Sequence, residues 1–377
     1  MPQVFVYSGF NVLFTLTLWS VVSVPVLGSV EVVAQYPNDL QTFDDDNEGN
    51  NETLIIRKGY DTLEQAVFFK FYKNGQLTYI ANGINVEQLG DTGCTPDDRF
   101  AFLLHGWRES CDVDWMKLLI AKLTAHRGGC IVCIDYGALA QEAYVRLLRK
   151  FGPLTDIMTN KLKYMYLQGL NPDKTFMFGF SFGGQLSTAI GNTFGPNQIK
   201  EIDTCDMAGP GFDFRVASLD HKDAAQNVQC IHTSRDKGTK NYDCHQDWRM
   251  GNCGASQDAA DRPPMGSHGL CPYFYISAFD HPFFAVNQPR RCSSSRPASF
   301  WPEDFKMGYL ETRKPMVSGE LFAITSNTYP FNVLDKDINL DDISPGPQFI
   351  HQRGPRLRPV ANIIKRARRL LRQRKNV

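Results

Sequence analysis

A serine at position 181 stands between two glycines in the stretch GFSFG (179–183). A serine hydroxyl is a weak nucleophile until a histidine removes its proton, a carboxylate holds that histidine, and amide N–H groups stabilise the charge on the attacked oxygen. Bulky residues at 176–178 predict a strand before the serine, and residues 185–195 have helical spacing after it. The glycines allow a strained strand-to-helix turn that exposes the hydroxyl. The pattern therefore predicts a nucleophile at Ser181 in preference to an ordinary serine in a glycine turn.

Three aspartates follow this serine at positions suited to an orienting acid. In hydrolases with such a turn, the acid and then the histidine come later in the chain, each at the end of a strand. Asp206 ends the next apolar run, within DTCDMAGPGF (203–212). Asp203 and Asp213 are rival acids, because aspartates at strand ends commonly only cap a turn.

Four histidines are candidates for the base. His268 follows a loop and starts an aromatic segment, MGSHGLCPYFY (265–275), from which an imidazole can reach a serine. His232 lies inside a hydrophobic strand and is expected to be a hydrogen-bonded core histidine. His245 and His281 remain alternatives.

The segments around these residues predict an α/β fold. Short apolar runs alternate with helical segments, the arrangement that builds a mainly parallel sheet covered by helices on both faces. Alternating residues between 60 and 90 predict a β-hairpin before them. Trp115, Leu118, Leu119 and Leu123 supply the helical period of the first crossover. The apolar runs are 100–105, 130–136, 175–180, 199–206 and 228–233.

The N-terminal residues indicate export. Residues 11–27 are mostly apolar and uncharged, and the small residues Gly28 and Ser29 follow them. We interpret residues 1–28 as a secretory signal peptide. A membrane anchor is the alternative, and it is disfavoured because the run is short and Pro25 interrupts it.

Ten cysteines suit a secreted protein in which several are bridged. Cys130 and Cys133 form a CxxC inside an apolar run with no second pair at zinc spacing, so we expect bridge ends or buried thiols rather than metal ligands. The bridges that we expect are Cys244–Cys253 and Cys271–Cys292.

Composition divides the rest of the chain. Residues 29–59 are acidic, with an N-glycosylation sequon at Asn51, and predict a flexible segment before a domain at 60–335. The net charge is zero because Lys and Arg crowd into the tail, 336–377. Past Pro359 the pattern predicts a basic amphipathic helix that contacts an anionic membrane or a heparin-like polyanion. A solvated or proteolytically removed tail is an equal alternative, and we expect no nucleic-acid partner for an exported protein.

The ordered motifs of residues 60–335 resemble those of the animal neutral lipases, as a single-domain member. That family holds pancreatic-type lipases, secreted A1-type phospholipases and the catalytically inactive insect yolk proteins. The resemblance implies an α/β-hydrolase fold. Besides the serine motif, it rests on FLLHGW (102–107), VCIDY (132–136), DMAGPGF (206–212), DAAQNVQCIHT (223–233), GSHGLCPYFY (266–275) and GELFAITSNTYPF (319–331).

The resemblance also implies roles for individual residues. Ser181 matches the nucleophile, Asp206 the acid and His268 the base, while the backbone N–H groups of Trp107 and Phe182 match the oxyanion hole. No metal or cofactor is implied.

Four positions depart from the family's pattern. Phe180 and Phe182 flank the serine where the family has His and Leu. Met207 follows the acid in place of Pro, and Ser267 precedes the base in place of Cys. These departures loosen the substrate assignment more than the chemistry, because all three triad positions are filled.

We therefore expect a secreted lipid carboxylester hydrolase that works through an acyl-enzyme. The rival is a lipid-binding or storage protein on the same scaffold, and an intact triad argues against it. In the family, a loop before the histidine covers the site. Here the corresponding residues 254–267 are short and polar, with Pro263 and Pro264, which favours phospholipid or galactolipid over long-chain triglyceride.

Overall fold

The computed structural model describes residues 61–213, 220–260 and 266–333. Within these ranges one sheet of nine strands has the order β2-β1-β4-β3-β5-β6-β7-β8-β9. Strand β1 pairs antiparallel with β2 and β4, and every later pair is parallel. The strands are β1 Phe68–Lys73, β2 Gln76–Asn82, β3 Phe100–Leu104, β4 Cys130–Asp135, β5 Phe176–Phe180, β6 Glu201–Cys205, β7 Asn227–His232, β8 Gln246–Met250 and β9 Gly319–Ala323.

Alpha-helices lie between β3 and β4, between β4 and β5, between β5 and β6 and between β8 and β9, whereas the described residues between β7 and β8 form no helix. The α-helices of the described ranges are α1 Asp114–His126, α2 Gly137–Ala140, α3 Tyr144–Arg149, α4 Phe151–Leu167, α5 Phe182–Phe194, α6 Gly266–Gly269 and α7 Cys271–Ser277. Short 3-10 helices are Glu64–Ala66, Leu89–Thr92, Pro172–Lys174, Lys222–Ala224 and Lys314–Met316. No helix in the described ranges has both the length and the apolar character that a membrane span requires.

The two faces of the sheet carry two separate hydrophobic clusters. Along β3, Phe100, Phe102 and Leu104 join one cluster, whereas Ala101 and Leu103 join the other. Strands β3, β4 and β5 are buried along their whole length. Parallel strands covered on both faces have such continuous apolar runs, and this confirms the predicted α/β-hydrolase fold with its N-terminal hairpin.

Helix α1 shows where the sequence pattern misplaced a side chain. Trp115, Leu119 and Leu123 are buried as predicted, but Leu118 is 48% exposed. The prediction for Leu118 is wrong because Met116 and Ile120 are also buried and turn the apolar stripe away from it.

Five disulfides use every cysteine of the chain, and Cys130 and Cys133 are bridge ends as expected. Both expected pairs, Cys244–Cys253 and Cys271–Cys292, are wrong. Neighbouring elements in the sheet decide the pairing rather than nearness in sequence, since Cys230 on β7 meets Cys244 just before the adjacent β8. The pairs are Cys94–Cys130, Cys111–Cys133, Cys205–Cys271, Cys230–Cys244 and Cys253–Cys292.

Several sequence predictions fall outside the described ranges. These are the signal peptide at 1–28, the acidic segment at 29–59 with Asn51, and the basic tail at 336–377. Residues 261–265 of the predicted covering loop also lie outside them.

Candidate active site

Ser181 occupies the turn between β5 and α5 with backbone angles φ 55° and ψ −120°. A residue with a side chain rarely adopts a positive φ, and such strain is concentrated at functional sites. A Cβ on Gly179 would lie 2.2 Å from the Gly183 carbonyl oxygen, and a Cβ on Gly183 would lie 2.4 Å from the His105 carbonyl oxygen. Both flanking glycines are therefore required by close backbone packing in this turn.

The structure brings Ser181, Asp206 and His268 together in one hydrogen-bonded chain. The Nε2 atom of His268 lies 2.8 Å from Ser181 Oγ, and its Nδ1 atom lies 2.6 Å from Asp206 Oδ2. All three side chains are largely buried, and that of Asp206 is completely buried. A neutral imidazole with its proton on Nδ1 donates to the carboxylate and accepts the serine proton at Nε2.

Asp206 is fixed at the end of β6 by donors from the residues after β7. Its Oδ1 atom accepts the backbone N–H groups of Thr233 at 2.7 Å and Ser234 at 3.0 Å. Its Oδ2 atom accepts the Ser234 hydroxyl at 2.5 Å, in addition to the imidazole of His268. A carboxylate with this many donors is held in a single orientation.

His268 lies in the short helix α6 and packs against an aromatic ring. The ring of Phe180 lies 4.9 Å from the imidazole, at an interplanar angle of 37°. The preceding Ser267 accepts the backbone N–H of Gln257 at 2.8 Å through its hydroxyl. Two of the four positions that depart from the family pattern are therefore next to the base. Phe180 contacts the imidazole ring, and Ser267 is the residue before His268.

The two rival acids do not join the hydrogen-bonded chain of Ser181, His268 and Asp206. Asp203 is a buried residue of strand β6, and its carboxylate accepts the Tyr275 hydroxyl at 2.6 Å and the Lys314 ammonium at 3.2 Å. Asp213 accepts the Thr239 hydroxyl at 2.6 Å.

The rival histidines are also engaged elsewhere. His232 is buried and its Nε2 atom lies 2.9 Å from Asp247 Oδ1, which confirms the expected core histidine. His245 accepts the Val228 N–H at Nδ1, and His281 lies 5.8 Å from the ring of Tyr329.

The residues with predicted oxyanion amides flank the serine. Phe182 is the first residue of α5, where backbone N–H groups lack partners inside the helix and the helix dipole is positive. On the other side, the Gly106 N–H donates to Glu109 Oε2 at 2.7 Å and the Arg108 N–H donates to the Ala140 carbonyl at 3.0 Å. These bonds engage the amides on both sides of Trp107 and fix the peptide between them.

His105 holds the strand end that leads into this turn. Its Nδ1 atom lies 2.9 Å from the Gly106 carbonyl oxygen, and its Nε2 atom accepts the Tyr136 N–H at 3.2 Å. The Nε2 atom also lies 3.5 Å from Asp135 Oδ1, so the ring is held between a carbonyl, an N–H group and a carboxylate. The ring also stacks on Tyr136 with 4.1 Å between centroids.

Aromatic side chains pack beside Phe182, the residue after the serine. The ring of Tyr144 lies 5.4 Å from Trp107 and 6.2 Å from Phe182. Burial, and after it the Asp213 carboxylate, raises the pKa of Tyr144 well above its ordinary value. The next residue, Val145, is 57% exposed. The surface at Tyr144 and Val145 is therefore apolar and uncharged.

The sequence missed two polar residues that support the site, Glu109 and Ser234. Glu109 lies two residues after Trp107, and Ser234 lies two residues after His232. Nearness to the motifs was the only signal, because their roles depend on contacts made across the fold.

Two groups of side chains in the described ranges have the spacing of metal ligands, namely His221, Asp243 and Cys244, and Cys230, Cys244 and Asp247. Cys230 and Cys244 form a disulfide, so neither offers a thiolate to an ion.

Comparison with known proteins adds independent information. The family described as Lipase matches residues 44–253, more than half of the 377 residues. Lipase member H-B of Xenopus laevis is 26% identical over 138 residues, which cover 36% of this chain and 30% of that protein. Lipase member H of Oryctolagus cuniculus is 27% identical over 157 residues, which cover 41% and 34% respectively. The chain spans about a third of the length of the curated relatives that it matches.

Among solved structures, similar chains include two esterases. A cold-adapted esterase from an Arctic intertidal metagenomic library is 17% identical with a TM-score of 0.29, covering 44% of this chain and 72% of that chain. The esterase PE8 is 19% identical with a TM-score of 0.28, covering 37% and 69% respectively.

Proposed function

The chain belongs to the lipase family, and from that premise we propose that it hydrolyses carboxylic esters of lipids with Ser181 as nucleophile. The observation that carries the proposal is the hydrogen-bonded chain from Ser181 Oγ through His268 to Asp206. Such a chain turns a weakly nucleophilic hydroxyl into one that attacks an ester carbonyl.

The reaction proceeds in two stages. Ser181 Oγ bonds to the carbonyl carbon while His268 Nε2 takes its proton, and the carbonyl oxygen becomes negative near the N–H groups of Trp107 and Phe182. The bond to the alcohol oxygen then breaks, and His268 returns the proton to that leaving group. A water molecule attacks the acyl-enzyme in the same way, which releases the fatty acid and restores Ser181. Asp206 accepts the Nδ1–H throughout, which orients the neutral imidazole and stabilises the imidazolium that forms when Nε2 takes the proton.

The substrate class follows from family membership and from the apolar surface at Tyr144 and Val145. The half-buried Trp107 and Tyr144 and the exposed Val145 offer surface for an acyl chain. We propose phospholipid or galactolipid rather than long-chain triglyceride, because the segment 254–267 is short and polar. Gln257 within it is buried and bonds to the Thr233 and Met250 carbonyls, so little of the segment is left to cover a large apolar site.

Replacing the nucleophile tests the reaction itself. Ser181→Ala should lower turnover on a soluble ester by about a million-fold, and Asp206→Asn and His268→Ala should lower it nearly as far. Ser187→Ala is the matched control, since Ser187 is a buried serine of helix α5, which follows Ser181. Its hydroxyl donates to the Gly184 carbonyl at 2.8 Å. It should retain full turnover. More than a trace of activity in Ser181→Ala would show that the assignment is wrong.

A substrate panel tests the lipid class. The secreted protein should hydrolyse phospholipid or galactolipid vesicles faster than triolein emulsions, with release of the fatty acid measured in each case. A clear preference for triolein would overturn this part of the proposal. Binding of lipids without any hydrolysis would favour the rival storage or carrier function.

Export and the basic tail belong to the same proposal. Five disulfides favour an oxidising compartment, in keeping with a signal peptide at 1–28 and an extracellular location. Deletion of residues 355–377 should leave hydrolysis of soluble esters unchanged and weaken binding to anionic vesicles or heparin, less so at high salt. Equal binding by the full and shortened chains at low salt would exclude this role.

A further inference from the structure

A buried carboxylate outside the Ser181, Asp206 and His268 chain clamps the turn before Trp107. Glu109 is 9% exposed. Its Oε2 atom accepts the Gly106 N–H at 2.7 Å, and its Oε1 atom accepts the Trp115 Nε1–H at 2.9 Å. None of the described Lys, Arg or His side chains forms a salt bridge with it. Burying a charge without a cation is costly, and here two N–H donors alone offset that cost.

The first of these bonds acts directly beside the nucleophile. A Cβ placed on Gly106 would lie 3.0 Å from Glu109 Oε2 and 3.1 Å from Ser181 Cβ. The chain reverses between these residues at Arg108, whose φ is 64°. Glu109 therefore fixes the peptide immediately before the Trp107 amide, at the side of the serine where an oxyanion would form.

The second bond, from the Trp115 indole N–H, links Glu109 to the aromatic rings that pack against His268. The ring of Trp115 makes an edge contact with Phe180 at 5.7 Å, and Phe180 in turn packs on His268 at 4.9 Å. One carboxylate thus ties the turn before Trp107 to the aromatic pair behind the imidazole.

We propose that Glu109 is a positioning residue, which sets the Trp107 amide and the Trp115–Phe180 support relative to Ser181. This inference rests on the proposed ester hydrolysis. Because the oxyanion exists only in the transition state, its misplacement lowers turnover while leaving ground-state binding largely intact. A role in stability alone would not separate kcat from KM in this way.

The test compares Glu109→Gln with the wild type on p-nitrophenyl butyrate, a soluble ester. A glutamine side chain accepts one of the two N–H bonds and turns its NH₂ group toward the other donor, so the clamp is broken with little change in volume. We expect kcat to fall about ten- to a hundredfold with KM within about twofold. The rate at which a fluorophosphonate modifies Ser181 should fall in parallel, since this reaction also places a negative oxygen at the same amides.

Glu87→Gln is the matched control. Glu87 is also a buried carboxylate, but it pairs with Lys161 of helix α4 at 3.0 Å rather than with backbone or indole N–H groups beside Ser181. This change should lower the thermal midpoint and leave kcat unchanged. Trp115→Phe removes only one donor and keeps the ring against Phe180, so it should give a smaller drop in kcat.

The outcomes separate this inference from the proposed function. If the wild type hydrolyses no ester, the proposed function itself is wrong. An active wild type with unchanged or higher kcat in Glu109→Gln, or a change confined to KM, would overturn the role of Glu109. If Glu109→Gln does not fold, Trp115→Phe decides, and full turnover in that variant would overturn the inference.

Discussion

Cys205 and Cys271 are joined by a disulfide that connects the residue before Asp206 to the helix that follows His268. Cys205 ends β6, and Cys271 begins α7. The bridge closes a separation of 66 residues, so it restricts the unfolded chain strongly. In the folded protein it limits how far Asp206 and His268 can move apart.

We predict that the double variant Cys205→Ala/Cys271→Ala loses about 2–4 kcal/mol of stability and also loses turnover per folded molecule. The unfolding midpoint and kcat on a soluble ester, normalised to folded protein, would be measured. The control is Cys253→Ala/Cys292→Ala, which removes a bridge that does not flank Asp206 or His268. It should lose stability alone. Unchanged turnover in both double variants would show that the first bridge does not position the pair.

Ser234→Ala should lower turnover through Asp206. The change removes the hydroxyl that donates to Asp206 Oδ2 at 2.5 Å, while the backbone N–H bonds to Oδ1 remain. With one donor fewer on Oδ2, the carboxylate is held less firmly and orients His268 less firmly. We expect about a tenfold loss in kcat. A kcat equal to that of Ser187→Ala, another buried serine variant, would contradict this prediction.

Phe180→Ala should affect both stability and catalysis. The ring is buried between Trp115 and His268, and its removal should cost about 3–5 kcal/mol. Phe176→Ala is the control, because Phe176 is buried at the opposite end of the same strand. Both variants should unfold at lower denaturant concentration, but only Phe180→Ala should lower kcat at a temperature where both are folded. Equal turnover in the two variants would remove the role of Phe180 as a support for the imidazole.

The stability of the fold should decline in mild acid partly because of His245. Burial first, and then the charges of Lys222 and Arg296, hold the pKa of His245 below its ordinary value of 6.5. Since the folded state binds this proton more weakly than the unfolded state, its contribution is complete above about pH 6.5 and is lost as the pH falls below that value. Protonation at Nδ1 also breaks the bond from the Val228 N–H.

His245→Asn places an oxygen acceptor near the position of Nδ1 but does not titrate. We predict that its thermal midpoint falls less than that of the wild type between about pH 7 and pH 5. Differential scanning calorimetry across this range would measure the difference. Parallel curves for the two proteins would exclude His245 as a source of the acid sensitivity.

The sequence predicted the elements whose pattern is local. Continuous apolar runs identified β3 to β7, and the glycines around Ser181 identified the turn. Strand β8 was not predicted, because Gln246, Asp247 and Arg249 give its sequence a polar character. These side chains are buried and bond to partners far along the chain. Sequence patterns do not reveal such pairings.

The residues of the candidate site also differ in how far the sequence pattern alone predicted them. The placement of Ser181 follows from a strand end, which is visible as a pattern break, whereas the choice of Asp206 over Asp203 and Asp213 needed the family resemblance. The choice of His268 over the other histidines needed the family resemblance, because several loops bear a histidine. Glu109 acts through partners that only the fold brings near, so no spacing rule identified it.

The backbone of Ser181 has a consequence for how this chain could change. At φ 55° and ψ −120° glycine has a lower conformational energy than serine. Selection for stability alone would therefore favour loss of the hydroxyl at this position. A descendant that served only to store or carry lipid could exchange the serine for glycine and gain in thermal resistance. The turn is thus a point at which selection for stability and selection for catalysis oppose each other.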